Sequence, residues 1–259
     1  MTLGKSQPFD YRRIPVAYYD AALREGNSVR RLWHLAKFER VLGCLPHGQN
    51  LSLLDIGCFA GSFLSLVPEE RFARQVGVDI LPEQIAFAEA HWATSFREFR
   101  EISTLRDLRA MPESFDCATA IEVIEHLRLD EIRELLDGVV DRLRPGGTFV
   151  LTTPNYRSAW PLIERVVNRA SDISYADQHI TKLTYRSIER DLVSIYPSLF
   201  RYFSPNLVKS TTHLVTPFLA ALSFERALQL SRWVAQRHWK LPLGNLVLLV
   251  LRRNGESRC

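Results

Sequence analysis

The chain has 259 residues, 46% of them apolar, with 33 basic and 29 acidic side chains and a formal net charge of +4. That is apolar material enough for a full globular core, and it excludes a disordered or fibrous chain. The basic residues are scattered, with no run longer than an adjacent pair such as Arg30 and Arg31, so no basic tract marks nucleic acid as a partner.

The first residues (MTLGKSQPFDYRR) lack the apolar core of a secretory signal, and Pro8, Pro15, Tyr11, Tyr18 and Tyr19 read as an arm lying over the rest. Leu32, Leu35, Phe38, Val41 and Leu42 predict a lead-in helix over 30–45 that ends near Pro46 and Gly48. Strands are then expected at 51–56, 75–79, 96–102, 115–121 and 147–153, with helices beginning at Gly61 and spanning 83–92 and 129–143. Beyond Thr153 the alternation breaks: 155–196 reads as helix and loop, 199–204 as a short strand, 212–238 as helix broken at Pro217, and 245–252 as a last strand. The whole predicts an α/β fold, a doubly wound, mostly parallel sheet of seven strands with an N-terminal helical arm and a late helical insertion. It is read as one domain: arm and lead-in helix 1–49, core 50–155, lid region 156–241, final strand and tail 242–259.

The apolar-rich stretches 214–224 and 241–251 are about half the roughly 20 residues a membrane span needs. The stripe Leu214, Phe218, Leu222 is most simply a buried helix face; contact with an apolar substrate tail or a membrane surface is the alternative. Cys44, Cys58, Cys117 and Cys259 show no CxxC spacing, which argues against zinc or a disulfide framework and suits a reducing cytoplasm.

The chemistry gathers where strands end. In LLDIGCFAG, Asp55 closes a buried strand, and Gly57 and Gly61 let backbone approach a ligand. Asp79 ends the next strand, where a carboxylate can accept the hydroxyls of a ribose. The loop lacks the GxGxxG spacing that cradles a pyrophosphate, so a ligand with a ribose and no phosphate fits better than a dinucleotide.

LLDIGCFAG, VGVD, FDCATAIEVIEHL and LRPGGTFVLTTPN together resemble, in order and spacing, the class I S-adenosylmethionine-dependent methyltransferases, in the branch of the ubiquinone-biosynthesis O-methyltransferases. The resemblance covers roughly 50–155 and implies a Rossmann-like fold and S-adenosyl-L-methionine as cofactor. It places Asp55, Gly57, Cys58 and Gly61 around the methionine part, Asp79 on the ribose, Ile80 on the adenine, Ile102 or Ser103 on its far side, and Ile121 and Glu122 closing the pocket. Where the family commonly has a glycine this chain has Phe59, for which a positive φ is costly, so a shifted loop is expected.

If a helix starts near Glu122, then Glu122, Glu125 and His126 lie on one face at the pocket mouth. One reading makes His126 a general base, with Glu125 beside it. A second adds His179 to form a Glu122, Glu125, His126, His179 site for Mg²⁺ or Mn²⁺, resembling the metal-dependent 2′-O-methyltransferases of small-RNA 3′ ends and some quinone O-methyltransferases. A third leaves the run as a helix cap and pocket wall. The arm with Tyr18 and Tyr19, the region of Trp160 and Tyr175, and the insertion with Trp233 and Trp239 are candidate covers. The reading that leads is methyl transfer to an oxygen of a small molecule, a quinone, lipid-like or saccharide intermediate; RNA methylation and a non-catalytic cofactor-binding module are the alternatives.

Overall fold

The computed structural model describes residues 10–170, 178–212, 216–237 and 239–255. Seven strands, β1 (Ser52–Ile56), β2 (Arg74–Asp79), β3 (Arg97–Glu101), β4 (Phe115–Ile121), β5 (Leu143–Pro154), β6 (Phe203–Thr212) and β7 (Leu246–Arg253), form one sheet in the order β3-β2-β1-β4-β5-β7-β6. The first five pair in parallel and β7 runs antiparallel to both its neighbours. The strand order turns back between β1 and β4, and a crevice opens beyond the carboxyl ends of strands at such a point.

Helices α1 (Tyr18–Arg24), α2 (Ser28–Leu42), α3 (Pro82–Trp92), α4 (Leu129–Arg142), α5 (Trp160–Ala170), α6 (Ile188–Ile195), α7 (Leu199–Tyr202), α8 (Thr216–Leu219) and α9 (Phe224–Ala235) cover the sheet. Their starts carry recognisable signals. Asn27 accepts the Arg30 N–H at the head of α2, Pro82 opens α3, and Glu131 accepts the Arg128 N–H before α4. Along β1, Leu54 and Ile56 enter the core on one face with α4, while Leu53 enters the core on the other face with α2.

Three expectations change. No α-helix follows Gly61: two short 3-10 turns, Leu64–Leu66 and Glu69–Arg71, link β1 to β2. The arm's α1 holds this stretch instead, with Asp20 accepting from the Ser62 hydroxyl and Arg24 donating to that of Ser65. The strand expected at 199–204 begins at Phe203 and continues to Thr212, inside the segment read as helical insertion, because it pairs with β7 over most of its length. In the stripe 214–222, Phe218 and Leu222 are exposed, Leu222 by 87%, so it is not a buried face; Leu214 lies outside the described residues, as do Pro8, Tyr175 and Cys259. Cys44, Cys58 and Cys117 are free thiols, and no described helix is long and apolar enough to cross a membrane.

Leu151 lies buried in β5 between Ala120 of β4 and Leu249 of β7. Leu151→Ala is expected to cost about 2–5 kcal/mol, the usual range for such a cavity, read as a lowered urea midpoint with an unchanged m-value.

Candidate active site

A cavity of about 650 Å³ opens at the carboxyl ends of β1, β2 and β4. That volume suits a cofactor and a small acceptor together. It brings together Asp55, Gly57, Cys58, Asp79, Ile80, Ile102, Ser103, Ile121, Glu122, Glu125, His126 and His179. Gly61 is not in its wall. Its φ of +76° and the 2.7 Å that would separate an added Cβ from the Phe99 ring make it a packing glycine behind the loop.

The loop after β1 is held by the acids it was expected to expose. Asp55 is buried and accepts from the Thr119 hydroxyl at 2.6 Å, and burial pushes its carboxyl up to about 7. The Asp79 oxygens accept the Phe59 and Leu81 N–H groups at 2.8 and 3.0 Å. Phe59 itself adopts the left-handed conformation that was expected to be costly, at φ +49°, stabilised by that bond to Asp79 and by edge-on packing against Tyr19 of the arm at 5.1 Å. Gly57, at φ +73°, would put a Cβ 2.6 Å from the Val123 side chain, so the cavity floor there must stay bare backbone.

These residues fit S-adenosylmethionine. Asp79 retains unused lone pairs on both oxygens, Ile80 beside it is half exposed, and Ile102 and Ser103 face the same space. At the other end of the cavity, Lys37 of α2 is buried in an ion pair with Glu122.

Glu122 does not begin a helix. It sits at φ +54°, its N–H bonded to Thr152, and only a 3-10 turn, Ile124–His126, follows. The shared helical face is therefore replaced by a split: Glu122 turns to Lys37, while Glu125, His126 and His179 place one donor atom each within 4.8 Å of one another. Glu125 is fully buried and neither of its oxygens has a hydrogen-bond partner. The Thr153 hydroxyl lies near enough to favour its charge without meeting hydrogen-bond geometry, and burial, then Glu122, drive its pKa well above the usual carboxyl range. Such a group suits either a proton or a cation.

His126 Nδ1 lies 3.2 Å from the Gln178 carbonyl oxygen, to which the Tyr11 hydroxyl also donates at 3.3 Å, and the Tyr11 ring packs edge-on at 5.4 Å. His179 Nδ1 lies 2.9 Å from Glu164. Trp33, Trp160 and Phe218 wall the space beside them, Trp33 being 5.9 Å from Trp160 and 6.2 Å from Phe218. Of the candidate covers, Tyr19 and Trp160 reach the cavity and Tyr18, Trp233 and Trp239 do not line it; Phe218, from the apolar stripe, does. Lys37, Tyr11, Trp33, Tyr156 and Glu164 were not marked by any motif; Lys37, one turn before Val41 on the apolar side of α2, is a charge at a buried helical position and so carried a readable signal.

Burial pushes both His126 and His179 down to about 4. An imidazole that charges near 6.5 when unfolded and near 4 when folded binds its proton preferentially in the unfolded chain. Its contribution to stability is complete above about pH 6.5 and is lost as the pH falls toward 4. Asp55, raised to about 7, acts in the opposite sense, losing its contribution as the pH rises toward 7. A double His126→Gln, His179→Gln variant is therefore expected to lose less stability than the wild type between pH 6.5 and 4, measured by denaturant midpoints; parallel curves would show that burial does not hold the pair neutral.

The methyltransferase domain family matches residues 29–197. The chain is 37% identical over 127 residues to a ubiquinone biosynthesis O-methyltransferase of Cereibacter sphaeroides, covering 46% of this chain and 48% of that protein. It is 30% identical over 161 residues to one of a Methylobacterium species, covering 56% and 61%. The chain thus spans about half the length of the curated relatives it matches. Among solved structures it is similar to a protein of Pyrococcus horikoshii, with a TM-score of 0.60, 18% identity and coverage of 95% of this chain and 100% of that one. A SAM-dependent methyltransferase of Archaeoglobus fulgidus gives 0.55, 18%, 94% and 100%. With the family matched across residues 29–197, the chain belongs to the methyltransferase domain family, within the class I S-adenosylmethionine-dependent methyltransferases.

Proposed function

We propose that the protein transfers a methyl group from S-adenosylmethionine to a hydroxyl oxygen of a small molecule. One observation carries the reading: a single cavity runs from Asp79 and Ile80 to the Glu125, His126 and His179 cluster, so a nucleoside end and a polar acceptor end share one space. When bound, the cofactor supplies a methyl group already activated by the sulfonium charge. The chain's part is to bind, align and exclude water. Asp79 would hold the ribose and Ile80 the adenine face. Lys37 and Glu122, an opposed pair of charges, match the carboxylate and ammonium of the methionine end. Trp33, Trp160 and Phe218 would hold the apolar body of the acceptor, with its hydroxyl against the imidazoles. The name of the curated relatives supports oxygen as the accepting atom.

A divalent cation is the second reading, and the unpartnered Glu125 carboxylate beside two imidazoles favours it. Glu125, His126 and His179 would hold the ion, and it would lower the pKa of an acceptor hydroxyl. Glu122, engaged with Lys37, is not in that donor set. RNA as acceptor gains no support from the rim, where Arg106 is paired with Glu134 and Arg128 with Asp130 and Glu131.

Incubation with trideuteromethyl-labelled S-adenosylmethionine and 3,4-dihydroxybenzoate or a cell extract should yield products heavier by one labelled methyl. Binding of S-adenosylhomocysteine with no transfer to any acceptor would instead favour the non-catalytic module. Lys37→Met should weaken S-adenosylhomocysteine binding by about 10–100-fold in calorimetry, the weight of a charge-assisted hydrogen bond, and leave methylthioadenosine, which lacks the amino-acid end, unaffected. Transfer that continues at full rate after exhaustive chelation would remove the cation.

A further inference from the structure

The two imidazoles of the acceptor end are held by unlike partners. His126 Nδ1 meets a neutral carbonyl, that of Gln178, at 3.2 Å. His179 Nδ1 meets the Glu164 carboxylate at 2.9 Å, and the pair is buried, Glu164 by α5 and His179 on the segment before Ile180. The Tyr156 hydroxyl closes a triangle, donating to Glu164 at 3.2 Å and reaching the same Nδ1. Burial holds that phenol in its neutral form, so it remains a donor.

A carboxylate only accepts, so with Glu164 ionised the proton of a neutral His179 sits on Nδ1, shared with the oxygen of Tyr156 while that hydroxyl donates to Glu164. The ring's acceptor nitrogen is then Nε2, and the ring lines the cavity opposite Trp160 at 6.3 Å between centroids. A carboxylate at Nδ1 holds an imidazole more firmly than a carbonyl does and makes Nε2 a better acceptor. His126 has the carbonyl and His179 the carboxylate.

We propose that Glu164 and Tyr156 are positioning residues that lock His179 as the Nδ1–H tautomer, making His179 rather than His126 the imidazole that receives the hydrogen bond of the acceptor hydroxyl. The tautomer rests on the contact with an ionised Glu164; the role toward the acceptor rests on the hydroxyl-methylation reading.

The test uses the full chain with ¹⁵N-labelled histidine. Long-range ¹H–¹⁵N spectra, assigned with His126→Gln and His179→Gln, should show the proton of His179 on Nδ1. Glu164→Ala should move it largely to Nε2 while the His126 signals stay in place, and S-adenosylhomocysteine affinity equal to the wild type will show that the variant is folded. With 3,4-dihydroxybenzoate, or whichever acceptor takes the labelled methyl, Glu164→Ala should lower kcat by about 10–100-fold, as losses of such partners do. KM for the cofactor should stay unchanged, Glu164→Gln, whose neutral amide is no better an acceptor than the carbonyl at His126, should recover little of the rate, and Tyr156→Phe should give a smaller loss. A wild-type His179 protonated on Nε2, or a tautomer unmoved in Glu164→Ala, overturns the lock. Full turnover in His179→Gln alongside its loss in His126→Gln overturns the choice of imidazole. A wild type that methylates no acceptor overturns the role in catalysis through the parent reading and leaves the tautomer result standing.

Discussion

Four carboxylates, Asp55, Asp79, Glu122 and Glu125, converge on one end of the sheet, and much of the local structure serves to hold them there. Removing a carboxylate from water is costly unless something answers its charge. Each is answered differently. Asp55 takes the Thr119 hydroxyl and a raised pKa, Asp79 takes two backbone N–H groups, Glu122 takes the Lys37 ammonium, and Glu125 takes no hydrogen-bond partner and is pushed toward its protonated form. The crevice of an open α/β sheet is where backbone leaves the ladder and polar groups can be left facing a ligand. Here that freedom is used to concentrate negative charge.

The arm follows from this constraint. The bond from the Phe59 N–H to Asp79 turns the loop into a left-handed conformation that a bulky residue adopts only at a cost. Tyr19 packs on the ring so exposed, and the rest of the arm is fastened around it: the Ala17 N–H to Gln84, Asp20 to Ser62 and Arg24 to Ser65. The space where a helix after Gly61 was expected is thereby shared by two short turns and α1. An element remote in sequence has taken a place that the local pattern assigned to its own stretch.

What could be read in advance divides along the same line. The strands of the core and the acids at their ends were legible, because a buried parallel strand is a continuous apolar run and its terminal residue is fixed by counting. Asp55 and Asp79 lie at the ends of β1 and β2, and with Glu125 and His126 they line the cavity, though the helical face expected for Glu125 and His126 is a 3-10 turn. Glu122 was misjudged, since EVIEHL has helical spacing and nothing in six letters announces a left-handed residue bonded to Thr152. The backbone of Phe59 was not legible for the converse reason: its conformational cost is local and visible, but the bond and the ring that offset it come from Asp79 and Tyr19. Glu164 and Tyr156 carried no signal, because their meeting with His179 depends on how a segment without a motif returns to the sheet.

The orphaned Glu125 joins the two readings of the acceptor end. With Lys37 already committed to Glu122 and the buried Glu164 carboxylate against His179, a charged Glu125 would add a further negative charge to a buried cluster with two neutral imidazoles. A proton removes that charge, and so does a divalent ion held by the same three donors; the two are alternatives for one vacancy in the charge balance rather than unrelated mechanisms. Under either reading His179 would meet its partner through the nitrogen that Glu164 does not occupy. Positioning by Glu164 is therefore compatible with both, and the choice between proton and ion rests on Glu125 alone.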